Sequence, residues 1–576
     1  MRLTGILVCA ITLCAGLAAA KPQISARGVR SAGSVADRKI ARGSAFHVWG
    51  KALGPAEAVK AEAPYGVELG GVTIAFASGE TVIQAFVVEA GAERITGILP
   101  SSTPPGEYQV TVTSGGETSE KFKVQVVDRN LGFVTAEAVA GGFASGRIKA
   151  PDVDPVAIGL VSPVRPGQPI ELDAAGLGPI ETPDNEFPPE ANVVEGAVLV
   201  LNGALEVPVT YLGRNPQRPG YDLVRATLPA EGLPSGCGVT MRLKFGDVTT
   251  GRVALPAANS EARACGNPLG LPVESLERMQ TGGTITTGSA NLTQQAIDLG
   301  IVLPPIPGFP PLPASVKSET FDAGFDRHTL ASFSSFFADG TTQITLNRNG
   351  CTVFEGEGAG AAFEVDATPL DAGAELTLTG LGNLDTKVKR DANSGRYSLQ
   401  LTSPGAGFPP SPGGGQDKIV KGAYKLSGPG GADVGPFEAT ATVTDTITWT
   451  NKDDIKEVDR GVELKFAWTG GAAADLTYAL GLASGKAPED GAKDVTRGFI
   501  CVAAGDAGGI TVPVEILQKM PQTSGEDIDK LGMLTLQYTS AWDAGKFKAP
   551  LTAGGELEFG FFTWSMGSTK PGVPFK

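Results

Sequence analysis

Imidazole is almost absent from this chain: its 576 residues include two histidines, His47 and His328, one in each half. A zinc hydrolase of the HExxH kind would need clustered His ligands, and no HExxH occurs. A Ser-His-Asp hydrolase would need a nucleophile elbow, and no GxSxG occurs either. The absence of any CxxC removes support for a redox motif or a zinc ribbon. Gly356 to Gly360 has the look of a phosphate loop, but it lacks the six-residue dinucleotide pattern and reads as a strand-connecting loop. Beyond the first twenty residues no apolar run is long enough to span a bilayer. Positive charge is also in deficit, with 47 Lys and Arg against 62 Asp and Glu, for a net charge of −15. That balance argues against nucleic acid and anionic membrane surfaces as partners, since both attract basic proteins.

At the N-terminus, Arg2 precedes an apolar stretch from Gly5 to Leu17 and the small residues Ala18, Ala19 and Ala20. This is the order of a secretory signal peptide over residues 1–20, with cleavage before Lys21. Loss of Arg2 takes the net charge to −16 and places the mature protein outside the cytoplasm, either secreted or in the periplasm or at the cell surface. Four cysteines survive cleavage, and an even count in an oxidising compartment points to two disulfides among three arithmetically allowed pairings. Cys237 with Cys265 is favoured because the pair brackets the last strands of one module, which leaves Cys351 with Cys501.

The 78 glycines and 42 prolines interrupt the chain too often for long helices, while 41% hydrophobic residues suffice for real cores. Residues 24–127 alternate short β-rich runs with Gly/Pro turns, as in Phe46–Trp49, Val72–Phe76, Val82–Val88, Tyr108–Val112 and Phe122–Val127. Such runs with period-two alternation predict an antiparallel sandwich. The same grammar returns over 155–257, where Leu177-Gly178-Pro179 echoes Leu53-Gly54-Pro55. An internal repeat of this kind predicts two copies of one module. A Pro-rich insertion, Thr182 to Pro189, follows the second Leu-Gly-Pro and reads as a solvated acidic loop, although such insertions are also where binding tends to reside. Residues 265–314 read as a linker holding a short helix over 271–281 and a polyproline-like stretch over 303–313. From 315 a different β-rich region follows, read as two sandwich lobes, 315–435 and 436–576, with a short helix over Val512–Met520 and a Pro/Gly-rich loop at 404–415.

Carboxylates are what remains for chemistry. Asp453, Asp454, Glu457 and Asp459 form one cluster and Glu489, Asp490 and Asp494 another, both interspersed with lysines as exposed turns are. No cofactor is expected. Calcium is the one ion such loops could take, and Asp391-Ala392-Asn393-Ser394-Gly395 has alternating oxygen donors before a glycine. No acid follows at the closing position, so a β-turn is the expectation there. His47 lies in an apolar strand and reads as a packed or edge residue.

Several short motifs resemble those of a large uncharacterised family of exported, acidobacterial-type bacterial proteins with tandem immunoglobulin-like, IPT/TIG-type modules. The residues that carry the resemblance are Ile40 to Ser44 with Gly50 to Pro55, Arg165 to Gly167 with Gly176 to Pro179, Gly213 to Pro216 with Pro219-Gly220, Pro234 to Cys237, and Cys265 to Pro268. In the C-terminal half, Leu370 to Gly373, Ile447 to Asn451, Asp459 to Gly461 and Trp468 to Gly471 resemble a domain that recurs after such modules. Relatives often carry a Cys pair where this chain has Gln217-Arg218. The resemblance implies a fold and carries no catalytic residue.

The expectation is therefore an all-β protein: two tandem Ig-like sandwiches, short connector helices and a larger C-terminal β-sandwich region. Its expected role is non-catalytic, as an exported interaction or scaffolding protein with a protein or polysaccharide partner. The alternative is a carboxylate-dependent carbohydrate-active or other hydrolase in the C-terminal half. Protein recovered from the producing cell should begin at or near Lys21; N-terminal sequencing that finds Met1 on a cytoplasmic pool would refute export.

Overall fold

A computed structural model describes residues 20–34, 38–139, 141–150, 153–202, 205–246, 248–259, 261–267, 269–298, 315–333, 349–355, 367–381, 384–402, 418–488, 490–523 and 532–576. The signal segment, the 303–313 stretch, the 404–415 loop and Gly356–Gly360 lie outside these residues, apart from Ala20. The protein is all-β, its strands gathered into several sheets. Its contacts gather into two units: Met1–Val134 with Leu172–Gly196 and Thr210–Arg225, and Thr135–Glu171 with Ala197–Val209 and Ala226–Lys576.

The first unit is built on two facing sheets. In one, strands Gln23–Ser31, Ala45–Lys51, Arg94–Ile98, Phe86–Ala90 and Val59–Lys60 pair in that order. In the other the order is Lys39–Ala41, Phe122–Val127, Gly106–Ser114, Val72–Ser78 and Glu68–Leu69. Alternation decides the faces: Phe46, Val48, Val72, Ile74, Phe76, Val110, Val112, Val124 and Val126 all point into one buried core. Phe46 and Phe76 meet edge to face across that core at 5.2 Å. The Tyr108 hydroxyl donates to the Pro104 carbonyl at 3.0 Å, the tyrosine corner familiar from immunoglobulin-like sandwiches.

At one end of this unit lies a fully buried ion pair. The Arg214 guanidinium donates to Asp222 Oδ1 at 3.0 Å and, through its other nitrogen, to the carbonyls of Gly43 and Gly178. Asp222 Oδ2 accepts from the Leu177 amide at 2.8 Å. Gly43 has φ +72°, and a Cβ there would press on both Ser101 Oγ and the guanidinium, so glycine is required on two counts.

The second unit is organised by one long sheet. Its order is Gly350–Glu355, Asp490–Ala504, Leu476–Ala487, Gly532–Thr539, Phe559–Val573, Ile285–Asp298, Ser315–His328 and Thr368–Pro369, with Tyr397–Thr402 pairing beside Ser315–His328. A four-stranded sheet (Leu384–Lys389, Glu375–Gly380, Gly422–Gly428, Phe437–Val443) covers one half, burying Leu292, Phe321, Phe325, Phe562 and Trp564 against Leu378, Tyr424, Leu426 and Phe437. A three-stranded sheet (Ile447–Trp449, Leu464–Gly470, Gly509–Val512) shares a second core with Ala479, Phe499, Leu534 and Leu536. The three tryptophans of these cores have their indole N–H groups satisfied: Trp564 by Thr442, Trp468 by Gly505 and Trp449 by Asn451.

Two segments differ from their sequence reading. Ile285–Asp298, inside the stretch read as a linker, is a 14-residue strand at the centre of the long sheet. Its outward positions carry Thr287, Ser289, Asn291, Thr293 and Gln295, so its polarity resembles that of a loop. The predicted helix at 512–520 shortens to Val514–Leu517, because Gly509–Val512 is drawn into the three-stranded sheet. The connector helix is present as Val273–Gln280, with Leu276 and Met279 buried beside the Cys237–Cys265 disulfide. The second disulfide joins Cys351 to Cys501 across the paired strands Gly350–Glu355 and Asp490–Ala504.

Arg214→Met leaves the Asp222 carboxylate buried without its counter-charge, which should destabilise the first unit by about 3–5 kcal/mol. Arg214→Met combined with Asp222→Asn should lose clearly less. Urea denaturation of both variants checks this; equal losses would mean that the pair contributes only by packing.

Candidate functional site

The outer face of the first unit's five-stranded sheet carries side chains that the core does not explain. Phe46 and Val48 point inward, so His47 and Trp49 point outward on the same strand. Across the sheet His47 faces Arg30 on one side and Thr96 on the other, while Trp49 faces Arg94. The strand Gln23–Ser31 is bulged here, its register jumping between Ile24 and Val29. Gly28 makes the bulge feasible at φ +67°, where a Cβ would overlap the Phe122 ring. The bulge lays the Arg27 guanidinium over the indole of Trp49, 4.2 Å from its centroid.

The segment 210–225 of the same unit adds to this face. The Ala45 amide donates to the Gly220 carbonyl at 2.8 Å, and the Arg218 guanidinium stacks on the buried Tyr221 ring at 3.5 Å. Arg94 reaches Glu89 at 3.7 Å and Arg218 reaches Asp173 at 3.6 Å. These are loose, half-exposed ion pairs that leave guanidinium donors available.

His47 is the electrostatic probe of the face. It is buried, its Nδ1 lies 3.1 Å from Thr96 Oγ1, and its ring meets Trp49 edge-on at 5.2 Å. Burial, and then the charges of Arg94, Arg218 and Arg27, push its pKa down to about 3. The imidazole is therefore neutral over the physiological range and sits beneath three guanidiniums.

The Pro-rich insertion is largely exposed, as its composition suggests, but it is not loose. Asp184 is buried, accepting from the Ser101 amide at 2.6 Å and the Ser101 hydroxyl at 2.7 Å. Asn185 exchanges two hydrogen bonds with the Tyr65 backbone, both at 2.9 Å. The loop is thereby pinned at two points, and two residues further on Phe187 is 61% exposed. Burial raises the Asp184 pKa, opposed by the two Ser101 donors.

The sequence-nominated carboxylates do not form a comparable site. Asp453, Asp454, Glu457 and Asp459 are all exposed, along the turn that follows Asn451. Glu457 pairs with Lys576, and Asp459 caps the Gly461 amide at 2.8 Å. Asp494 pairs with Lys486 at 3.1 Å; Glu489 and the Asp490 side chain lie outside the described residues. Asp391 Oδ1 closes its own turn, accepting from Asn393 N, Ser394 N and Ser394 Oγ. Among the described residues no three His, Cys, Asp or Glu side chains gather as metal ligands would. His328 is half-buried, its Nε2 3.0 Å from Thr287 Oγ1, and burial lowers its pKa.

Because the folded pKa of His47 lies below the unfolded value near 6.5, the unfolded chain binds a proton that the native one refuses between pH 6.5 and about 3. Stability should fall on acidification through that window, by up to about 1.4 kcal/mol per pH unit from this residue. His328 contributes with the same sign. His47→Gln should flatten the pH dependence between 6.5 and 5, measured by denaturant midpoints; an unchanged slope would mean that the imidazole titrates normally.

No family model matches this chain, and no curated protein does. Solved structures superpose on it loosely. A Bacteroides vulgatus protein assigned provisionally as DNA-binding shares 24% identity at a TM-score of 0.14, over 19% of this chain and 48% of its own. The chain therefore spans about half of that protein's length. The SGBP-B of a Bacteroides ovatus mixed-linkage glucan utilization locus, solved with a mixed-linkage heptasaccharide, shares 14% identity at 0.21, over 58% of this chain and 71% of its own. Domains 5–6 of the S-layer protein SbsC share 14% at 0.16, over 42% and 100%. Superpositions this loose say nothing of what the chain binds.

Proposed function

We propose that the chain is an exported, non-catalytic binding protein whose first unit holds an acidic polysaccharide on its arginine–aromatic face. The signal-like N-terminus and two disulfides support a place outside the cytoplasm. One observation carries the ligand class: Arg27 stacked on Trp49, with Arg94 and Arg218 beside it, on a chain of net charge −15. Guanidiniums take carboxylates or sulfates in forked pairs, and the loose ion pairs of Arg94 and Arg218 leave donors for them beside the stacked Arg27. A local excess of cations on an acidic protein selects for an anionic ligand. Of the acids in the rival hydrolase reading, Asp453, Asp454, Glu457 and Asp459 are exposed along one turn, with Glu457 engaged by Lys576 and Asp459 by the Gly461 amide.

Affinity electrophoresis of the mature protein through polygalacturonate should show retardation that weakens as salt rises. Arg27→Ala with Arg218→Ala should reduce affinity about 10- to 100-fold, the size of one or two lost charge-assisted hydrogen bonds. Migration untouched by the polymer, or retardation indifferent to both substitutions, would refute this reading.

A further inference from the structure

The second unit carries a cleft of about 180 Å³ on the outer face of its long sheet, lined by Ser289, Asn291, Asp322, Gly324, Arg396 and Ser398. We infer that it is a subsite for a single neutral sugar ring, gripped through adjacent hydroxyls by Arg396 and Asp322. This goes beyond the reading of the first unit and stands on residues of the second unit alone.

The cleft is built around a missing side chain. Register places Ser289 opposite Gly324 and Asn291 opposite Asp322 on neighbouring strands, while Ser398 pairs with Asp322 from the other side. Gly324 lies in ordinary strand conformation, so backbone freedom does not call for glycine there. What calls for it is Arg396: a Cβ at 324 would overlap its guanidinium, which lies across the bare backbone. Asp326 holds that guanidinium through Oδ2 at 2.8 Å. Asp326 is buried, and its Oδ1 has no hydrogen-bond partner among the described residues. The guanidinium is thus fixed by Asp326 while the Arg396 side chain stays 46% exposed, a donor held in place before any ligand arrives.

The remaining groups decide the ligand class. Asp322 is exposed, and its carboxylate makes no ion pair or hydrogen bond among the described residues. Arg396, Asp322 and Asp326 together carry one net negative charge, which disfavours an anion. The guanidinium inside the cleft disfavours a cation, and the carboxylates are too few to cage a metal. A ligand that both donates and accepts satisfies both walls, and neighbouring hydroxyls on a pyranose do so, donating to Asp322 and accepting from Arg396. The serines supply further hydroxyls. Pockets for drug-sized ligands usually run from about 300 Å³ upward, so this volume suits one ring, with the rest of a glycan running over the polar sheet face.

The test uses full mature protein in native gels cast with a neutral β-glucan, xylan or galactomannan. At least one polymer should retard the parent. Arg396→Ala and Asp322→Asn should each weaken that retardation about tenfold or more. Gly324→Ala should do the same by displacing the guanidinium, while melting temperature confirms that the sheet is intact. The neutral polymers are run apart from polygalacturonate, so failure here is separable from failure of the first-unit reading. The proposal is overturned if none of the three polymers retards the parent, or if Arg396→Ala and Asp322→Asn migrate like it.

Discussion

The first unit depends on a charge that has no access to water. Arg214 holds Gly43, Gly178 and Asp222, from three stretches of chain, around one guanidinium. Burying such a pair costs several kcal/mol of desolvation per ion, and the cost is offset only when the geometry and the extra hydrogen bonds are good. Here the carbonyls of Gly43 and Gly178 and the amide of Leu177 supply those bonds. The arrangement forms only when all three stretches are in place, so it acts as a check on assembly as much as a source of stability. It also places the segment containing Arg218 and Tyr221 next to the strand that carries His47 and Trp49, through the Ala45–Gly220 hydrogen bond.

This pair gives a physical reason for motifs that look like unrelated turns in the sequence. Ile40 to Ser44, Gly176 to Pro179 and Gly213 to Pro216 are far apart in the chain, yet each contributes a group to the Arg214 cluster. Gly43 is needed for its positive φ, and Gly178 also has positive φ, +120°. Nothing in local periodicity points to their convergence, because a buried charge leaves no period-two signature. The sandwich itself was readable, since Phe46 and Val48, or Val110 and Val112, alternate with outward residues as a half-buried strand must.

The candidate site was readable only in part, for reasons that differ by residue. Trp49 and His47 stand in a recognisable strand, and the polarity of His47 among apolar neighbours marks an outward position. Arg27 sits in a bulge, and bulges are fixed by a partner strand that sequence does not reveal. Arg218 comes from 171 residues beyond His47, and only the tertiary fold brings it near. The Pro-rich insertion was readable as an exposed acidic loop, but not its anchors: Asp184 is bound by two Ser101 donors and Asn185 by the Tyr65 backbone. Ile285–Asp298 escapes notice as a strand for a related reason, since Ala290 and Leu292 are the apolar side chains it sends into the core under the four-stranded sheet, and polar residues fill most of its other positions.

The long sheet of the second unit shows how one element can serve two cores and still leave a face for binding. Its inward side chains divide between the four-stranded and three-stranded sheets, so each half is packed like an ordinary sandwich. Strand edges invite pairing with other chains unless they are managed, and among the described residues this sheet ends on Gly350–Glu355. At the Gly350–Glu355 edge, the strand is fastened covalently to its neighbour through Cys351 and Cys501, which stand directly opposite one another in the register. That bond closes a loop of 150 residues, a constraint worth roughly 5 kcal/mol by loop-closure entropy. Near that edge the outer face holds a small apolar cluster of Leu476, Ile500 and Val502, while around Ile285–Asp298 it carries Thr, Ser, Asn and Gln that no core demands. Gln295, Thr569 and Thr535 link across it in hydrogen bonds of 2.7 Å. Such a ladder keeps the strands in register without apolar packing, and beside it lies the cleft where Arg396 crosses Gly324.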